Sequence, residues 1–173
     1  MQDASSYILK NDFVETDEFG DPIPTQIPVR SLVAEDLNAI VKIDKLSTGE
    51  DRKDYYERRL HEALNQSGIR VSLVAEVEDF VAGFIMARVD LGEFGRAEPV
   101  AVIDTLGVDP RYQGSGVGKA LMNQLLTNLD GLQVEATRTI VEWNAFDILA
   151  YMQSSGFKPS QRLIFTRQVP PAP

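Results

Sequence analysis

Apolar side chains recur along this chain in two periods, and the switches between them mark its elements. Ile27 to Leu32 reads as a first strand. Ala34-Glu35-Asp36 opens a helix with Leu37, Ile40, Val41 and Leu46 along one side, and its acidic first turn suits the positive end of a helix dipole. Ser47-Thr48-Gly49 ends it. Asp51 caps a second helix, which carries Tyr55, Tyr56, Leu60, Ala63 and Leu64 and ends near Gly68. Val71 to Val77 and Phe80 to Val89 are strand-like runs about Glu78-Asp79, the pattern of a hairpin. After a glycine-containing loop, Leu91 to Pro99, the run Ala101 to Val108 reads as a fourth strand. Leu121, Met122, Leu125, Leu126 and Leu129 then recur at helical spacing. Ile140 to Trp143 reads as a fifth strand, Ile148 to Phe157 as a last helix ending in Gly-Phe, and Arg162 to Gln168 as a final strand. Residues 1–26 mix acids with glycine and proline and sustain no period beyond a short strand candidate at Tyr7 to Leu9. They are read as an acidic extension before a single domain, 27–169, with a proline-rich tail at 170–173.

The fourth strand meets the following helix through Gln113-Gly114-Ser115-Gly116-Val117-Gly118-Lys119, with glycine at alternate positions. Glycine lets backbone approach a ligand closely, and the free amides of a helix start carry about half a positive charge, so the stretch predicts an anion cradle. A bare strand-to-helix turn would leave the helix-weakening glycines unexplained. Two familiar phosphate loops fail by one or two residues. A dinucleotide loop counted from Gly114 needs glycine where Lys119 stands, and a Walker loop needs glycine at Gln113 and a hydroxyl residue at Ala120.

Gln113, Gly116 and Gly118 do satisfy the pattern Gln/Arg-x-x-Gly-x-Gly/Ala. With Leu106-Gly107-Val108-Asp109-Pro110 before the loop, Trp143-Asn144 after the fifth strand, and Tyr151 to Gly156-Phe157 at the end of the last helix, the chain resembles the GNAT N-acyltransferase superfamily. The resemblance implies an α/β fold with a mixed, mainly antiparallel sheet of six to seven strands, flanked by helices, whose parallel fourth and fifth strands splay apart. It implies acetyl-coenzyme A as co-substrate. The amides of Gln113, Gly114, Ser115, Gly116, Val117 and Gly118 would hold the pyrophosphate, while Lys119 adds a charge-assisted contact or faces water. The backbone of Leu106 and Val108, beside a bulge near the end of the fourth strand, would pair with the pantetheine arm. Asn144 would bond that arm, or cap the helix that follows Trp143.

Composition narrows the chemistry. Cysteine is absent and His61 is the single histidine, so no cysteine can carry an acyl group, a serine triad lacks a second choice of base, and no metal site is expected. Transfer would then run directly from donor to acceptor in one ternary complex. The net charge is −9, with six acids against Lys10 in residues 1–29 and six against Arg88 and Arg96 in residues 76–98. That balance disfavours nucleic acid and suits an amine acceptor, including a cationic one. No apolar run is long enough to span a bilayer, and residues 1–12 lack a basic start and apolar core, so the expectation is a cytoplasmic protein without membrane attachment. Monomer and homodimer remain equally open.

Attack on a thioester needs a neutral amine. A lysine-like amine, with pKa about 10.4, holds about one molecule in a few thousand neutral at pH 7, a deficit of roughly 4 to 5 kcal/mol. Asp104 is the first candidate base, because a carboxylate in the middle of an apolar strand is costly unless paired; strand alternation groups it with Val102 and Leu106. Its other reading is a structural acid paired with a basic group. Glu142 on the fifth strand is the second candidate, and Glu93 and Glu98 are loop charges able to draw in a cation. The resemblance also asks for a tyrosine in the last helix to protonate the departing thiolate. Counted from Asn144 that residue is Tyr151; counted back from Gly156 it is Met152, and Asn144 gives way to Ala145. The first count yields an acetyltransferase acting on a primary amine; the second allows a noncatalytic acyl-coenzyme A sensor. A longer acyl donor fits either.

Overall fold

The computed structural model describes residues 27–66, 69–91, 99–161 and 164–168; the expected extension, residues 92–98 of the glycine-containing loop with Glu93 and Glu98, and the tail lie outside these. Five strands form one sheet in the order β1 (Val29–Ser31), β2 (Leu73–Val77), β3 (Phe80–Leu91), β4 (Pro99–Val108) and β5 (Ala136–Thr139). All neighbours are antiparallel except β4 and β5, which are parallel. Glu78 and Asp79 both take positive φ, 52° and 64°, the twist a two-residue hairpin needs to join β2 to β3.

Side-chain alternation sorts the strands onto two cores. On one face Val74, Phe84 and Met86 receive Ile40 and Ile43 of α1 (Leu37–Thr48) and Tyr56 and Leu60 of α2 (Lys53–His61). On the other, Leu73, Ala75, Ile85, Ala101 and Ile103 receive Leu121, Met122, Leu125 and Leu129 of α3 (Val117–Gly131). α4 (Phe146–Ser154) adds Met152 to this second core. No helix among the described residues is long and apolar enough to cross a membrane.

Three expectations need correction. The fifth strand lies at Ala136–Thr139, before the apolar run Ile140 to Trp143. The chain leaving α3 turns at Gln133, φ 57°, and so reaches the sheet at residue 136; Ile140 and Trp143, 76% and 79% exposed, follow the strand as coil. Residues 164–168 form no strand, and Phe165 is 90% exposed, so the described sheet has five strands, where six to seven were expected. The bulge in β4 sits at Asp104, upstream of Leu106: β3 pairs Met86 with Thr105 and Ala87 with Ile103, leaving Asp104 unmatched. The extra residue breaks the alternation, so Leu106 faces the α3 core while Asp104 reaches α2.

Candidate functional site

The β4–β5 ladder runs from Val100↔Ala136 to Ile103↔Thr139 and stops one residue before the bulge. There the Thr139 hydroxyl donates to the Ile103 carbonyl at 3.1 Å. From Thr105 to Val108 β4 pairs with β3 alone among the described residues, so the strand's other backbone edge is open from Asp104 to Val108. Below that edge lies a groove of about 1210 Å³, running from Leu106 and Val108 to Gly114, Gly116 and Lys119, with Glu142 and Tyr151 on the β5 and α4 side. An unpaired strand edge of this kind is built to accept the amides of an extended ligand.

The glycine loop closes one end. Gly114 and Gly116 take φ of 78° and 92°, a region side chains avoid, and Gly116 is the N-cap of α3. The first amides of α3 have no intrahelical partner and open toward the groove end. Within the loop the residues divide in use. Val117 is buried in the α3 core and does not line the groove. Ser115 donates its hydroxyl to the Tyr112 carbonyl at 2.6 Å and its amide to the same oxygen at 3.3 Å. Gln113 donates its side-chain amide to the Val108 carbonyl at 3.4 Å, tying loop to strand. Lys119 is exposed on the groove wall and pairs with no acid among the described residues. Asp109 fixes the turn from below: it is 2% exposed, accepts from the Arg111 amide at 2.9 Å and from the Arg111 guanidinium at 2.7 Å, and these bonds hold its carboxyl below the usual carboxylate range.

Tyr151 and Met152 both line the groove. Met152 is buried in the core, and the Tyr151 hydroxyl reaches the start of α3, donating to the Gly118 carbonyl at 2.8 Å. Burial pushes the Tyr151 hydroxyl up from its ordinary pKa, so it keeps its proton at neutral pH. Asn144 does not cap α4: the N-cap is Ala145, Asn144 is exposed one residue earlier, and Ala145, not Asn144, lines the groove. Glu142 is exposed on the groove wall with no cation on it among the described residues.

Asp104 is not a lone buried acid. Its Oδ1 is bridged by Arg88 and by Arg59 of α2, the latter at 3.1 Å. These belong to a chain of alternating charge: Glu62 bonds Arg59 at 2.9 Å, Arg88 bonds Asp90 at 3.1 Å, and Arg138 on β5 stands 3.6 Å from Asp90. Arg88 and Asp90 are the two charged residues that interrupt the apolar run of β3. A second polar cluster also escaped the sequence reading. Asp44 is buried on the inner side of α1, where it accepts from the Tyr56 hydroxyl at 2.9 Å and from Arg52 at 2.8 Å, beside the groove. Its placement next to Ile40 and Ile43 on a helical period was the available sign.

Several solved structures share this architecture. An aminoglycoside N-acetyltransferase in complex with coenzyme A aligns with a TM-score of 0.69 at 19% identity, covering 82% of this chain and 94% of that one. An aminoglycoside acetyltransferase from an uncultured soil metagenomic sample, in complex with sisomicin, aligns with a TM-score of 0.66 at 17% identity over 83% and 96%. A transcriptional regulator from Bacillus halodurans gives 0.69 at 16% identity over 82% and 99%. Identities this low speak for the fold alone. A family model described as the acetyltransferase (GNAT) family matches residues 37–157. No curated protein sequence matches significantly.

Proposed function

The chain belongs to the GNAT acetyltransferase family, and we propose that it transfers an acetyl group from acetyl-coenzyme A directly to a primary amine. The observation that carries this reading is the open edge of β4 from Asp104 to Val108, continuous through one groove with the amide-rich start of α3. In this reading Leu106 and Val108 pair with the pantetheine amides, and the amides of Gly114, Gly116 and Gly118 receive the pyrophosphate. Lys119 adds charge from the groove wall.

The amine nitrogen attacks the thioester carbonyl carbon beside the bulge; the carbon–nitrogen bond forms, the carbon–sulfur bond breaks, and one proton leaves the nitrogen while another is taken up by the thiolate. The closest guanidinium contacts to Asp104 among the described residues both fall on Oδ1, and in this reading Oδ2 receives a hydrogen bond from the amine and orients it. Glu142, with no cation engaging either oxygen among the described residues, takes the nitrogen's proton. Tyr151, kept protonated by burial, supplies the thiolate's. Aminoglycosides are amines, and the neighbours solved with such acceptors support an amine here.

A noncatalytic acyl-coenzyme A sensor is the second reading, favoured by one observation: the Tyr151 proton is engaged by the Gly118 carbonyl. Thiol release from acetyl-coenzyme A across polyamines, amino acids and lysine peptides, run beside calorimetry with coenzyme A, separates the two. Release that depends on an amine supports transfer; tight coenzyme binding with no release across the panel rejects it in favour of the sensor.

A further inference from the structure

The chain from the end of β5 through α4 is poor in charge. Residues 140–157 hold two charged side chains, Glu142 and Asp147, where 25% of the whole chain is charged, and both of these line the groove. Ile148, Tyr151 and Met152 turn to the groove as well, spaced three and four positions apart as one helix face requires. What the segment turns the other way is apolar. Trp143 and Phe146 are 79% and 71% exposed, Leu149 shares the helix face of Phe146 and is 38% exposed, and none of the three lines the groove. A large aromatic side chain offers about 150–250 Å², so these residues bare on the order of 350 Å² of apolar surface. One side of a standard interface buries about 800 Å², of which roughly 500 Å² is apolar in a homodimer, so the patch supplies the larger part of that share. Beside it β5 is the outermost strand of the described sheet, and its far edge pairs with no strand among the described residues.

We infer that this face binds a second copy of the chain about a two-fold axis, with Trp143 and Phe146 of each protomer at the centre of the contact. Charge selects the occupant. Each copy carries a net charge of −9, so two copies repel, and they meet at least cost where neither presents a charged group. A basic partner drawn by the acidic surface would find no acid on this patch to pair with. Aromatic side chains with charge depleted around them are also the composition of an interface centre. A two-fold axis sets one β5 antiparallel to the other, so the open strand edge can be met by its own copy. Glu142 and Asp147 stay on the groove side of the same segment, and the partner packs behind the wall that carries them.

The inference stands apart from the acyl-transfer reading. Trp143 is the single tryptophan, so its fluorescence reports on this face alone. Sedimentation velocity on the full chain at about 0.1 to 100 μM, a range that reaches the weaker interfaces of standard size, should show a dimer at the upper end. Acrylamide, neutral and so indifferent to the acidic surface, should quench Trp143 several-fold less in that dimer than in the urea-unfolded chain. Phe146→Ala should weaken dimerisation by about thirtyfold, the loss expected for a central aromatic, and should leave the circular dichroism unchanged because Phe146 is exposed within the protomer. A monomer at every concentration overturns the inference, whether Trp143 is open to the quencher or shielded, since shielding would then come from the chain's own residues. A dimer whose Trp143 is quenched as freely as in the unfolded chain, or whose affinity Phe146→Ala leaves unchanged, overturns it too, because another face then makes the contact.

Discussion

Replacing Gly107 with alanine puts the packing behind the open β4 edge under direct stress. A Cβ at that position would lie 2.6 Å from Phe84 Cε1, 2.9 Å from Cζ and 3.3 Å from Ile43 Cγ2. Phe84 cannot simply retreat, because it is 1% exposed and stands edge-on to the Tyr56 ring at 5.7 Å, and Tyr56 is in turn bonded to Asp44. A contact of 2.6 Å on a side chain that cannot retreat belongs to the upper half of the overpacking range, about 2–3 kcal/mol, and alanine regains about 0.5–1 kcal/mol of strand backbone entropy, so the net loss should be about 1–2.5 kcal/mol. For a domain of this size that lowers Tm by about 2–10 °C. Urea and thermal unfolding followed by circular dichroism read the change. The alternative relief, displacement of β4 toward the groove, would appear as weaker coenzyme A binding by calorimetry. Gly131→Ala is the control: its Cβ meets nothing within 4 Å at the end of α3, so it should stabilise by about 0.5 kcal/mol. If Gly107→Ala is within about 0.5 kcal/mol of the parent and binds coenzyme A equally, the packing argument is wrong, since surface-like effects of that size need no clash.

Gly116→Val forces a β-branched residue to φ near 92° at the N-cap of α3, and should weaken coenzyme A binding by at least about tenfold in calorimetry. Tyr151→Phe removes the bond to Gly118, at a cost of about 1 kcal/mol in unfolding, and should lower kcat by about a hundredfold if the hydroxyl protonates the thiolate; an unchanged kcat assigns Tyr151 a purely anchoring role. Acid unfolding should carry the mark of Asp109. Its folded carboxyl is held low by Arg111, so its stabilisation is complete above the unfolded value, about 3.9, and is lost as pH falls from there through the folded value. Asp109→Asn should flatten that acid limb of the stability curve, and a limb of unchanged steepness would remove Asp109 from it. Tyr56 marks the alkaline side: burial and its bond to Asp44 raise it, so its stabilisation holds up to about pH 10 and is lost above, a limb that Tyr56→Phe should abolish.

The element order and the glycine loop were legible because each rests on local signals. Leu121, Met122, Leu125 and Leu129 announce α3 by period, and Gly114 and Gly116 are glycines for the φ they adopt. The fifth strand was misplaced because Ile140 and Trp143 are apolar yet exposed, while the residues that pair with β4, Ala136–Thr139, are largely polar; pairing partner and loop length decided, not hydropathy. Asp104 was recognisable as an acid in an apolar strand, but its partners were not. A bulge shifts alternation by one residue, and no pattern within β4 reveals that the register with β3 slips there. Arg59, 45 positions away on α2, and Arg88 come to the same oxygen only through the tertiary fold.

The claim on which the account turns is that the donor occupies the gap where β4 parts from β5. Amide hydrogen exchange with and without coenzyme A tests it residue by residue. Binding should protect the amides of Leu106 and Val108 and those of Gly114 to Lys119, while leaving β1 and β2 unchanged. Saturating coenzyme A with no added protection at either stretch, or with protection confined to another surface, would contradict it.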